Sequence, residues 1–270
     1  MKFSVLMSIY YKEKPEYFDR AIKSIWDEQT IKPSEIILVQ DGKLSDELYQ
    51  VIAKWKERLV DIFETISLEQ NVGLGDALNI GLDKCSYELV ARMDTDDIAL
   101  PDRFEKQLKV FENSNVDICS SWISEFDNDE NKIISYRKLP KNHHEIVIFM
   151  KKRNAINHPA VMYKKSVVLK SGGYKKMIWF EDYYLWARMI LSGAKFYNIQ
   201  EALVKMRAGY GQLERRSGYN YAIAEIKFLQ ELYHQGFFNI KELIIGIAIR
   251  FTVRVIPKFL VKKIYQKLRA

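Results

Sequence analysis

Three carboxylates fall within four consecutive positions, Asp94-Thr95-Asp96-Asp97, directly after the apolar run Leu89-Val90-Ala91-Arg92-Met93. Charges that close repel strongly unless something positive sits among them. Hard divalent cations such as Mn²⁺ and Mg²⁺ take oxygen ligands, often one or two carboxylates together with a substrate's phosphates. An isolated D-x-D pattern equally describes a solvated acidic turn, with Asp97 or Asp102 capping the next helix. At a strand end in an alternating chain, the pattern favours a cation held by Asp94 and Asp96, with Thr95 between them.

A second acid pair, Glu181-Asp182, is embedded in Trp179-Phe180-Glu181-Asp182-Tyr183-Tyr184-Leu185-Trp186 and opens a helix. A carboxylate near a helix N-terminus is stabilised as an anion, whereas an aromatic, desolvated wall pushes its pKa upward. A general base needs that balance and reach to a hydroxyl; the same segment also reads as a helix-start acid over an aromatic core. Arg207 and the pair Arg215-Arg216 flank Gly209 and Gly211. Guanidinium forks suit a diphosphate, although solvated arginines fit nearly as well. Asn71-Val72-Gly73-Leu74-Gly75 lacks both common phosphate-loop patterns and reads as a tight turn into a helix. His158 before Pro159 stays open between a structural and a binding role, and Cys85 and Cys119 read as core.

These residues require elements to hold them. Apolar strand patterns at residues 3–8, 35–39, 62–68 and 89–93 alternate with helical spacing at 15–29, 45–58 and 75–84. A further helix runs to Asn113 with Pro101 among its first residues. Such alternation predicts right-handed βαβ units and a mainly parallel sheet flanked by helices, an α/β fold. Ligands of these sheets bind beyond the carboxyl ends of the strands. Ser8 and Tyr10, Asp41, and Asp94 and Asp96 all fall at such ends, so three loops should build one site. The second half, from about residue 118, is less regular.

The composition is that of a globular chain of 270 residues, 48% apolar and 29% charged. Two cysteines cannot form a disulfide framework, which favours a reducing compartment. The net charge of +7 resides wholly in residues 241–270, with eight basic residues against Glu242. A nucleic-acid surface spread over the fold is therefore disfavoured. The N-terminus lacks a signal-peptide pattern, and the apolar run 243–249 is far short of the about 20 residues that span a bilayer.

Taken in order, the motifs resemble family 2 glycosyltransferases of the GT-A fold, over roughly residues 3–220. Ser4-Val5-Leu6-Met7-Ser8-Ile9-Tyr10 is similar to the family's first strand, Ile36-Ile37-Leu38-Val39-Gln40-Asp41-Gly42 to its second, and Asn71-Val72-Gly73 with Asn79 to its N-x-G…N helix start. Arg92-Met93-Asp94-Thr95-Asp96-Asp97 resembles the D-x-D region and Glu181-Asp182 the segment of the catalytic base. The resemblance implies an inverting, UDP-sugar-dependent enzyme. Ser8, Tyr10, Asp41, Asp94, Thr95, Asp96, Arg215 and Arg216 are its expected nucleotide and diphosphate contacts. Asp94 and Asp96 are expected on Mn²⁺ or Mg²⁺, with Asp182 as base. Two departures are Tyr11, where many members have Asn, and Leu78, where many have Arg. The Q-x-x-R-W motif of processive synthases is absent, which implies transfer of a single sugar.

Residues 1–235 are expected to form the catalytic domain and 236–270 a basic amphipathic segment. There Arg250, Arg254, Lys258 and Lys262 recur every four residues, divided by Pro257. This reads as an in-plane anchor on anionic lipid, each base adding about 1 kcal/mol, or else as a helix docked on the body. The anchor is preferred. The resemblance then implies a polyprenyl-diphosphate-linked GlcNAc or GalNAc acceptor, a glucose or galactose donor and a β-1,3 linkage. It also implies a place on the inner face of a bacterial plasma membrane, in O-antigen or capsule assembly. A nucleotidyltransferase fits less well, because Lys12-Glu13-Lys14-Pro15 makes a poor triphosphate loop. A nucleotide-sugar-binding protein without turnover would not need the acids at 94, 96 and 182.

Overall fold

Alternating side chains along the first strands divide the interior into two cores. In β1 (Phe3–Ile9) and β2 (Glu35–Gln40), Phe3, Val5, Met7, Ile36 and Leu38 point to one face, while Leu6, Ile37 and Val39 point to the other. Both strands are buried on both faces, as expected of a parallel sheet covered on each side. The computed structural model describes residues 1–208 and 218–255, with side chains through Thr252.

The first core is closed by α1 (Pro15–Trp26), α2 (Asp46–Arg58) and α4 (Arg103–Asn113). Helix α1 buries Phe18, Ala21, Ile22 and Ile25, the spacing of a single helical stripe. Ser45 caps α2 by accepting from Leu48 N–H. Helix α4 begins only at Arg103, so Pro101 lies outside it: a turn closed by Arg103 N–H on Leu100 O intervenes, and the Pro101 carbonyl accepts from Thr30. The other core is covered by α3 (Leu74–Lys84), α5 (His143–Met150), α6 (Lys165–Lys170), α7 (Glu181–Leu191) and α8 (Tyr219–His234). Helix α3 lies so near the sheet that a Cβ at Gly81 would meet Leu6 Cδ1 at 2.4 Å and Val39 Cγ2 at 2.7 Å.

The remaining strands are β3 (Phe63–Ser67), β4 (Leu89–Arg92), β5 (Ile98–Ala99), β6 (Ile118–Phe126), β7 (Ile133–Arg137), β8 (Met162–Lys164) and β9 (Phe196–Arg207). The sheet runs β3-β2-β1-β4-β8-β6-β9-β5, with β7 on β6. β3, β2, β1 and β4 pair in parallel, as do β6 and β9, while β5, β7 and β8 are antiparallel to their neighbours. The carboxyl ends of β2, β1 and β4 therefore lie side by side, which aligns Asp41, Tyr10 and Asp94. β5 ties the segment after Asp97 to β9, bringing Arg207 to the same edge.

Helix α9 (Ile240–Val255) packs on α8. Arg250 turns toward the body, 3.5 Å from Glu225, and donates to Lys152 O at 2.7 Å. The outer face of α9 exposes Ile240, Ile244, Ile245 and Ile249. Among the described residues no helix is long and apolar enough to cross a membrane. The Arg254 side chain, Pro257, Lys258 and Lys262 lie outside the description.

Candidate active site

β4 ends in a buried arginine. Arg92, 2% exposed, grips Asp94 through both guanidinium nitrogens. Below it the fully buried Arg103 donates to the Arg92 carbonyl at 2.7 Å and to Gln107, which fixes the strand end from beneath. Carboxylate oxygens of Asp94, Asp96 and Asp97 lie within 4.8 Å of one another. Asp97 accepts from the Arg207 N–H at 2.8 Å, while its second oxygen, buried, has no partner among the described residues. The Arg207 guanidinium rests 3.6 Å from the Tyr17 ring centre and donates to the Asp96 carbonyl.

Glu13, from the loop after β1, joins this group. It accepts from the buried Thr95 hydroxyl and from Lys14 N–H. Burial pushes its pKa upward, with Asp94 adding to the effect, while Thr95, Lys14 and Arg207 oppose it. Asp96 is pushed up to about 7, first by burial and then by Asp94 and Glu13. Asp97 is raised by burial, then by Asp96 and Asp94. Four acids thus face Arg92, Arg103 and Arg207, crowded together at the rim of the sheet. Closely set carboxylate oxygens, one of them orphaned, fit a hard divalent cation.

Next to β4, β1 delivers a half-buried Ser8 and an exposed Tyr10, whose ring meets Tyr11 edge-on. Asp41 at the end of β2 is 3% exposed. Its carboxylate accepts from Asn71 Nδ2 at 3.0 Å, Val72 N–H at 2.7 Å and Gly73 N–H at 3.1 Å. Hydrogen bonds to a charged group contribute about 1.5–3 kcal/mol each, so Asp41 staples the entry to α3. Gly42, at φ +85°, makes room: a Cβ there would lie 2.8 Å from Asn71 N. Leu78 is wholly buried, and Asn79 clamps Tyr174 by donating to its carbonyl and accepting from its N–H.

Glu181 and Asp182 occupy the first turn of α7. Asp182 accepts from Asn154 Nδ2 at 2.7 Å. Glu181 is raised by burial, with its own N–H opposing. Burial pushes the Tyr174 hydroxyl pKa upward, with Asp182 and Asp94 adding to the effect and Arg92 opposing it. That hydroxyl lies 2.9 Å from His158 Nε2, and His158 packs against Trp186 of α7. Burial, with Arg92 nearby, lowers the His158 pKa and keeps the ring neutral. His158 is thus part of the wall between β4 and α7.

The glycosyl transferase family 2 model matches residues 4–169, more than half of the chain. The chain belongs to this family. Among its relatives is an Escherichia coli UDP-Gal:alpha-D-GlcNAc-diphosphoundecaprenol beta-1,3-galactosyltransferase, 40% identical over 98% of this chain and 96% of that protein. The Erwinia amylovora amylovoran biosynthesis glycosyltransferase AmsE is 36% identical over 98% of each. Staphylococcus aureus TarS, solved with UDP-GlcNAc, superposes with a TM-score of 0.66 at 17% identity, covering 86% of this chain and 66% of that one. The TarS match shows a shared GT-A fold.

In this glycosyltransferase the strand ends bring Ser8, Tyr10, Asp41, Asp94, Thr95 and Asp96 to one rim. Arg215 and Arg216 lie outside the described residues. Sequence reasoning missed Glu13, Asn154 and the orphaned oxygen of Asp97. Glu13 had a usable signal in its position just beyond β1, but it was read only within a basic loop. Asn154 had none, because nothing in its neighbours marks it as a partner of a residue 28 positions on.

Proposed function

We propose that this enzyme moves one hexose, galactose or glucose, from a UDP-sugar to the GlcNAc or GalNAc of a polyprenyl-diphosphate-linked acceptor. The bond formed is β-1,3, and the product serves O-antigen or a related surface polysaccharide. The observation that carries the reading is the Asp94–Asp97 carboxylate cluster at the strand ends of a chain that belongs to family 2. The near-full-length similarity to the E. coli galactosyltransferase supports the choice of donor and acceptor.

Asp94 and Asp96 are the residues to hold Mn²⁺ or Mg²⁺, with Asp97 adding charge from below. A bound cation supplies positive charge to the donor's diphosphate. Asp182 takes the proton of the acceptor hydroxyl while that oxygen bonds to the anomeric carbon. The bond to the diphosphate oxygen breaks, its electron pair leaves on UDP, and the configuration inverts. Asn154 keeps the Asp182 carboxylate aimed.

Membrane association on the cytoplasmic face is part of the same proposal. It is supported by the exposed isoleucines of α9 and the basic sequence that follows. The decisive experiment offers UDP-glucose, UDP-galactose and their N-acetyl forms, with Mn²⁺ and a GlcNAc-diphospho-lipid, and reads product mass. One hexose added from a single donor, and lost with EDTA, is expected. No transfer from any donor overturns the reading.

A further inference from the structure

Beside the first turn of α7 the chain makes an unusual turn. Phe180 N–H closes on Met177 O at 2.7 Å, and Trp179, third in that turn, has φ +69°. Among the described residues it is the one non-glycine with positive φ. That position in a type II turn suits Gly or Asn, and a bulky residue there is an outlier. Core packing does not account for it, because Trp179 is 49% exposed. Its ring instead stacks on Tyr221 of α8, centroids 5.1 Å apart. Strain of this kind concentrates at ligand clamps.

The turn and α8 enclose a groove of about 420 Å³, whose lining includes Lys176, Met177, Ile178, Trp179, Ile223 and Lys227. Both lysines are exposed, and none of the lining residues is acidic. Asp182 stands three residues beyond Trp179, and the Trp179 N–H reaches the Glu181 carboxylate. An aromatic face, two cations and an apolar wall therefore meet at the turn that leads into the helix of the proposed base. An anionic ligand with a sugar and an alkyl chain matches each part: the ring offers a flat apolar platform, the lysines pair with phosphate, and the aliphatic residues shield the chain.

We propose that this groove is the acceptor subsite, holding a sugar-diphosphate-lipid with Trp179 against the sugar and Lys176 and Lys227 on the diphosphate. This rests on the glycolipid-acceptor reading above, and it assigns that reading a place on the molecule. The probe is a short-chain GlcNAc-α-diphospho-alkyl lipid below its micelle concentration, titrated calorimetrically into the full chain without donor. Trp179→Gly fits the turn better than the native residue, so a folding defect is not expected; melting curves check this. Its lipid affinity should fall at least tenfold. Lys176→Ala and Lys227→Ala should weaken the diphosphate lipid severalfold while leaving a GlcNAc-α-alkyl glycoside unaffected. UDP affinity should stay unchanged in all three. Wild-type affinity in every variant, or no lipid binding by the wild type, overturns the groove. Groove-dependent binding without transfer from any donor would leave the groove standing and defeat the functional proposal instead.

Discussion

Two acid groups far apart in the chain carry their negative charge in opposite ways. Asp94, Asp96 and Asp97 crowd together at the end of β4, with Glu13 beside them, four acids against Arg92, Arg103 and Arg207. Glu181 and Asp182 stand at a helix N-terminus, where backbone N–H groups favour an anion and a neutral amide, Asn154, supplies a partner. The first group is left with charge that a ligand must balance. In the second, burial and Asp182 raise Glu181, while Asp182 itself holds a hydrogen bond from Asn154. The crowded cluster suits a cation, and the hydrogen-bonded acid suits the role proposed for it.

Substitutions should separate the two. Asp182→Asn is expected to lower transfer about a thousandfold, within the range for a general base, while calorimetry finds UDP binding unchanged. Full transfer by this variant would end the assignment of the base.

At the other group, Asp96→Asn should lower transfer about a hundredfold, as for the loss of one electrostatic contact to developing charge. UDP binding should also lose its dependence on Mn²⁺. The cation-free protein offers a second test. With Asp96 raised to about 7 from an ordinary 3.8, the folded state keeps a proton that the unfolded chain releases. The contribution of this group to stability therefore falls as pH rises from about 4 to about 7. Compared with Asp96→Asn, EDTA-treated wild type should lose melting temperature across that window, and Mn²⁺ should reduce the difference. A difference of the opposite sign would remove the contrast.

Smaller effects sharpen it. Asn154→Ala removes one hydrogen bond to Asp182 and should lower kcat about tenfold, with the KM for donor unchanged. A change confined to donor KM would assign Asn154 to the other group. Arg250→Ala separates α9 from Glu225 and Lys152 and should cost about 1 kcal/mol in urea unfolding. Its effect on transfer should stay within twofold, because Arg250 touches neither acid group.

Much of this was legible in the chain itself. Buried strand runs and helical stripes marked β1 to β4 and α1 to α3 within a few residues, because local periodicity reports directly which face meets a core. The clustering of Asp94, Asp96 and Asp97 after β4 and the place of Asp182 in the first turn of α7 were legible too, because both follow from short-range order along the chain. The antiparallel strands and the pairing of β6 with β9 were not, because short strands take their partners from distant parts of the chain.

Sequence alone therefore determined the fold class and the position of the candidate site at the strand ends, both of which follow from short-range pattern and residue type. Only the tertiary structure decided which charges meet. It set Arg92 on Asp94, brought Arg207 and Glu13 to the cluster, and engaged Asp41 with residues 71–73. It also gave Asp182 its partner in Asn154 and turned Arg250 inward, although the repeat of basic residues had placed it on an outer stripe. The physical reason is range. Helix and strand patterns depend on neighbours a few positions away, whereas hydrogen bonds and charge pairing act between atoms that only the closed fold brings within a few ångströms.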